Sequence, residues 1–176
     1  ANVYTVDAGL PDVPRLGVCM QVPAGFEDLE WFGPGPHETY CDRRRGARVD
    51  VYRSTVTQQY VPYIMPQEHG NKVDVRWLAL RDAAGYGILV AGRPVISVNA
   101  SHFTAADLIQ ARHTCDLHMR DETYLHVDYM QRGLGTGSCG PDTLERYRIP
   151  PGRYEHQYVL VPFGPDQDPA ELALTT

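Results

Sequence analysis

A chain of 176 residues with 43% hydrophobic and 22% charged side chains can bury a sizeable core, as one ordinary domain or as a piece of a larger one, and it lacks the charge-rich signature of disorder. The formal net charge of -6 argues against a duplex nucleic acid partner, and Lys72 is the sole lysine among sixteen basic residues, so the surface cations are guanidinium forks suited to carboxylates. No stretch approaches the ~20 apolar residues of a membrane span and no charged leader precedes an apolar run, so a soluble, cytoplasmic protein is expected.

In chain order, residues 1–12 read as an N-terminal extension. Short β-type runs then recur at 16–22, 28–32, 49–55, 73–80, 86–91, 95–99, 114–119, 123–130, 143–149 and 153–161. In the fourth run Val73, Val75, Trp77 and Ala79 alternate with Asp74 and Arg76, which predicts one buried face. In the last, Tyr154, His156, Tyr158 and Leu160 share a face, and Pro150-Pro151-Gly152 and Pro162 bound the run. Helical character is confined to 104–112, where Thr104 is a candidate N-cap with Asp107 three residues on, so this is expected to be the only helix longer than one turn. Sixteen Gly and fourteen Pro cluster between the runs, and 164–176 reads as a flexible tail. Strands at this spacing without intervening helices predict an antiparallel β-sandwich with Trp31, Trp77, Tyr158 and Leu160 in its core.

Three segments carry candidate chemistry. In 31–43 (WFGPGPHETYCDR) two Gly-Pro steps impose a rigid non-helical path that presents Glu38 and Asp42, a possible carboxylate pair, with His37 as proton carrier; the plainer reading is a loop pinned by its own ion pairs. In 61–77 Glu68, His69 and Asp74 offer oxygen and nitrogen ligands, but their spacing fits neither a helical His pair nor a calcium loop, which favours a capped turn. The glycine-rich 133–140 (GLGTGSCG) imitates a dinucleotide fingerprint, yet Pro141 follows it where a helix would have to start. Thr136 stands two residues before Ser138, so G-x-S-x-G is absent as well. Cys19, Cys41, Cys115 and Cys139 are scattered without a C-x-x-C pair and read as free thiols.

Taken together and in order, these segments resemble the C-terminal, small-chain (fifth) domain of glycoside hydrolase family 2 β-galactosidases. The likeness runs from Pro14-Arg15-Leu16-Gly17 through Trp31-Phe32-Gly33-Pro34-Gly35-Pro36-His37-Glu38-Thr39-Tyr40 and Asp42-Arg43. It continues through Val61-Pro62-Tyr63, Pro66 to Asn71 and Asp74-Val75-Arg76-Trp77, then Phe103, Asp107-Leu108, His113, Asp128, Gly133-Leu134-Gly135 and Pro151 to Tyr154. It covers residues 13–163.

The resemblance implies an all-β sandwich of the galactose-mutarotase-like type, here a truncated later part of that domain. It also implies a retaining β-galactosidase whose two catalytic Glu residues, and whose Mg and Na, belong to other domains. No catalytic residue, metal or cofactor is then expected in this chain. Its partners are the remaining domains or a large subunit of the enzyme, a galactoside at the shared pocket, and further copies in a homo-oligomer. The family's glycine-rich loop reaches the aglycone side of the pocket, often with a Trp, and in this sequence Gly137, Ser138 and Cys139 fall there, Cys139 on the Trp. Two rival functions are an independent carbohydrate-binding module and a mutarotase-like epimerase drawing on His37, Glu38, His113, Glu122 and His126.

Overall fold

The computed structural model describes residues 1–137 and 139–176. Eight strands carry them: β1 (Asn2–Val6), β2 (Arg15–Val22), β3 (Asp28–Gly35), β4 (Arg48–Thr55), β5 (Lys72–Arg81), β6 (Gly87–Ser101), β7 (Thr123–Gln131) and β8 (Gly152–Phe163). Every pairing is antiparallel, in the order β1-β8-β6-β5-β3-β4, with β7 and then β2 branching from β6. The branch point follows from the sequence of β6. Residues 87–93 pair with β8 and residues 97–101 with β7, and between them stands Pro94, which has no N–H to offer a ladder. At Gly92 a Cβ would lie 2.7 Å from the Val95 backbone, so the chain can fold on itself here only as glycine. The runs expected at 86–91 and 95–99 are therefore two halves of one bent strand.

The bend brings the β2-β7 wing over the β3-β5 wing, as in an open sandwich. Leu125 and Val127 of β7, Val98 of β6, Leu29 and Trp31 of β3 and Leu78 of β5 share one core. The opposite face of the β3-β5 wing forms a second core around Trp77, Ala79, Leu89, Ala91 and Phe163. This splits the face predicted for β5. Between Val75, opposite Ile96, and Trp77, opposite Ala91, the register shifts by three residues, an odd number, so Val75 joins Leu78 and Leu80 while Trp77 and Ala79 turn to the other core.

Other expectations change as well. Besides α1 (Ala105–Gln110), which Thr104 caps in a complete capping box with Asp107, there is a second helix, α2 (Pro169–Thr175). It lies in the segment expected to be a flexible tail. Asp168 caps it through the Ala170 amide, Pro169 supplies a preset φ in its first turn, and Ala170, Leu172 and Ala173 cover the second core. The extension 1–12 contains β1, zipped onto β8 from Asn2↔His156 to Val6↔Gly152. The runs at 114–119 and 143–149 are not strands but single 3-10 turns, Thr114–Asp116 and Glu145–Tyr147, with irregular flanks. Trp31 and Trp77 are buried, Tyr158 is half-buried, and Leu160 stays 40% exposed, past the end of an aromatic cluster of Tyr129, Tyr154, His156 and Tyr158 that fills its side of β8.

Candidate functional site

The segment 31–43 begins as strand rather than turn. β3 runs on through Gly33, Pro34 and Gly35, paired there only with β4, so the missing N–H of Pro34 costs no bond toward β5. Trp31 donates from Nε1 to the Pro34 carbonyl at 3.1 Å, and its ring stacks on Tyr52 at 5.3 Å, a fit that a Cβ at Gly35, 2.7 Å from the Tyr52 ring, would break. The sole lysine, Lys72, is 2% exposed over the Trp31 ring, its Nζ 4.7 Å from the ring centroid, and donates to Gln59 and, at 3.0 Å, to the Gly70 carbonyl. Burial pushes its ammonium down to about 7.

Beyond the strand, the two loops with candidate chemistry are tied to each other. Glu38 accepts from the Tyr63 and Tyr40 hydroxyls, from the Gly70 amide at 2.8 Å and from the Arg43 guanidinium. Burial alone would raise its carboxyl, but these donors outweigh it and hold Glu38 below the ordinary carboxylate range; Tyr40 is pushed up by burial and by Glu38. Thr39 and Asn71 exchange backbone and side-chain bonds, and Ser97 donates to Asn71. Of the residues weighed as metal ligands, Glu68 pairs with Arg15 at 3.0 Å, Asp74 with Arg44, and His69 is buried with Nδ1 at 2.9 Å from the Gln67 carbonyl.

Asp42 points elsewhere. Its carboxylate accepts the amides of Leu134 (3.1 Å) and Gly135 (2.8 Å), at the base of the glycine-rich loop. The same base is held from the other side by Thr143, 1% exposed, whose hydroxyl donates to the Gly133 carbonyl at 2.9 Å and accepts from Arg132. Arg132 also pairs with Asp12 and Asp142, and Arg148 with Asp142. Two open clefts of about 620 Å³ flank Asp42, one toward Arg44 and Arg45, the other toward Leu134, Leu144 and Arg146. From this base the loop rises to an exposed apex. Thr136, Gly137, Cys139 and Gly140 are open to solvent, and Cys139 and Gly140 donate their amides to the Thr136 carbonyl. Ser138 lies outside the described residues.

The family model for the β-galactosidase small chain matches residues 2–160. The chain belongs to that family. It is 37% identical over 155 residues to a β-galactosidase of Priestia megaterium, covering 87% of this chain and 15% of the relative. Against the β-galactosidase of Kluyveromyces lactis the identity is 30% over 151 residues, 85% of this chain and 14% of the relative. Against that of Halalkalibacterium halodurans it is 37% over 127 residues, 72% and 12%. The chain thus spans about one seventh of the curated relatives it matches.

Within this family member, one polar cluster escaped the sequence reading as a unit. Asp128 of β7 is fully buried over Gly17, where a Cβ would sit 1.9 Å from Oδ1, and lies 3.0 Å from Arg15 Nε. Arg15 also contacts Nδ1 of His126 at 3.1 Å. Burial pushes Asp128 up to about 7 against the pull of Arg15, while burial and then Arg15 hold His126 down at about 4. The epimerase candidates are not gathered. Glu38 is saturated by its donors, His126 sits against Arg15, exposed His113 lies 3.6 Å from Asp116, and Glu122 accepts from Tyr124 and Gln21. Among the described residues no helix is long and apolar enough to cross a membrane.

Proposed function

We propose that this chain is a non-catalytic part of a larger, cytoplasmic, homo-oligomeric β-galactosidase, which it stabilises and whose sugar pocket it completes with the loop 133–140. The observation that carries this reading is the construction of that loop: a base bonded on two sides and an apex exposed to solvent, as a wall offered to a partner requires. Hydrolysis of terminal β-galactosides, with retention and with two Glu residues, is assigned to the remaining domains, as are the Mg and Na of the parent enzyme. The acidic side chains beside the loops here already have cationic or amide partners: Glu38 with Arg43, Glu68 and Asp128 with Arg15, Asp74 with Arg44, Asp42 with two amides. Gly137, Ser138 and Cys139 would face the aglycone. A thiol there gives a sugar face less to stack on than an indole does.

The test is complementation. The parent enzyme is expressed without this segment, and this chain is added in trans. Recovery of galactoside hydrolysis by the mixture, with no turnover by this chain alone, is expected. Turnover by the chain alone, or a remainder as active and as stable without it, would overturn the proposal.

A further inference from the structure

Asp42 sits 92 residues before the loop it touches, and its two oxygens are used one per amide: Oδ1 for Leu134, Oδ2 for Gly135. A carboxylate gripping two successive amides fixes both the position and the tilt of that peptide, and the bonds are charge-assisted. The grip has no slack. A Cβ at Gly133 would lie 2.8 Å from Asp42 Cγ and 2.9 Å from Tyr147 Cβ, and Gly135 holds φ +62 with Thr143 Oγ1 2.6 Å from its would-be Cβ. Asp42 is itself held by a tight turn, in which Tyr40 and Arg43 exchange both backbone bonds at 3.1 and 2.9 Å, while Arg43 reaches back to Glu38. Above this base, the hydrogen bonds among the described residues of the apex stay within 136–141. The direction of the apex is therefore inherited from its base.

We infer that Asp42 is a positioning residue for the acceptor side of the sugar pocket: its carboxylate sets where the 133–140 loop presents Cys139. The inference rests on the reading that this loop faces the pocket. A displacement of the loop by about 1 Å at its base is enough to alter an oriented contact at its apex many-fold.

Two variants and two readouts test it. In this chain, Asp42→Asn puts an NH2 group against an amide donor, and Gly133→Ala pushes the loop off Asp42 sterically. Amide hydrogen exchange at Leu134 and Gly135 is expected to quicken at least ten-fold in both, with Leu125 and Val127 in the core unchanged. In the complete enzyme, the inhibition constant for glucose, used as the acceptor probe, is expected to rise about ten-fold, several times more than kcat/KM for a galactoside with a good leaving group falls. Unchanged exchange at Leu134 and Gly135 would overturn the role of Asp42 whatever the kinetics. Quickened exchange with an unaltered glucose constant would instead sink the placement of the loop at the pocket. A parallel fall of all constants together with the melting temperature would mark Asp42 as merely structural.

Discussion

Glu38 and Asp42 lie four residues apart on one loop, and the fold uses them in opposite ways. Glu38 is 8% exposed at its side chain and takes donors from Tyr40, Arg43, Tyr63 and Gly70, all within the two loops it fastens together. Asp42 takes two amides from a distant segment whose far end is open. A carboxylate enclosed by its own neighbours is a clamp. One spent on an exposed loop fixes the base of that loop. The pairing of the two as acid and base in the sequence fails on this difference, because Glu38 is filled by four donors while Asp42 is turned to the amides of Leu134 and Gly135.

The sharpest way to break the contrast is Glu38→Gln. The four donors converge on an acceptor, and an amide NH2 would meet some of them head-on, so a loss of about 3 kcal/mol in urea unfolding is expected, with kcat of the complete enzyme within a few-fold. A thousand-fold loss of kcat at unchanged stability would instead place Glu38 in the chemistry.

The Arg15 cluster sharpens the same comparison, since there burial outweighs pairing. Asp128, raised from 3.8 to about 7, contributes stability that is complete below pH 3.8 and lost as pH rises through 7. His126, lowered from 6.5 to about 4, contributes stability that is complete above pH 6.5 and lost as pH falls through 4. The slopes oppose between pH 4 and 6.5. The unfolding free energy of His126→Gln, from urea melts, should therefore fall relative to the native chain as pH rises across that window, by about 3 kcal/mol. Parallel curves would refute the opposition.

The smallest effect concerns the open end. Cys139→Trp in the complete enzyme should strengthen glucose binding by about 0.5–1.5 kcal/mol, changing galactoside hydrolysis by less. Should the substitution unfold the protein while acceptor affinity stays put, the apex has no role at the pocket.

Much of the sheet was legible, because Gly and Pro punctuate it and most strands keep a two-residue period. The β5 bulge was not, since Val73, Val75, Trp77 and Ala79 alternate without a break and only the partners Ile96 and Ala91 reveal the slip. The α2 helix was written in Asp168 and Pro169 and overlooked, as seven residues are too few for a periodic signal. In 31–43, the pinning of Glu38 by Arg43 agrees with the plainer of the two readings. The loop base was hidden. Arg132, Asp142, Thr143 and Arg148 meet through a turn that the sequence presents as one more strand.

Lys72, the sole lysine of the chain, is 2% exposed, so its ε-amine is absent from the surface. Lysine-directed acylating reagents and crosslinkers should spare position 72 in the native chain, and a lysine-specific protease should not cut after it, because the single ε-amine is sealed against Trp31. Both reactions become gauges of opening. Burial holds the amine at about 7, so each opening returns it to the ordinary ammonium range, and label enters position 72 in proportion to the open fraction of the Trp31 region.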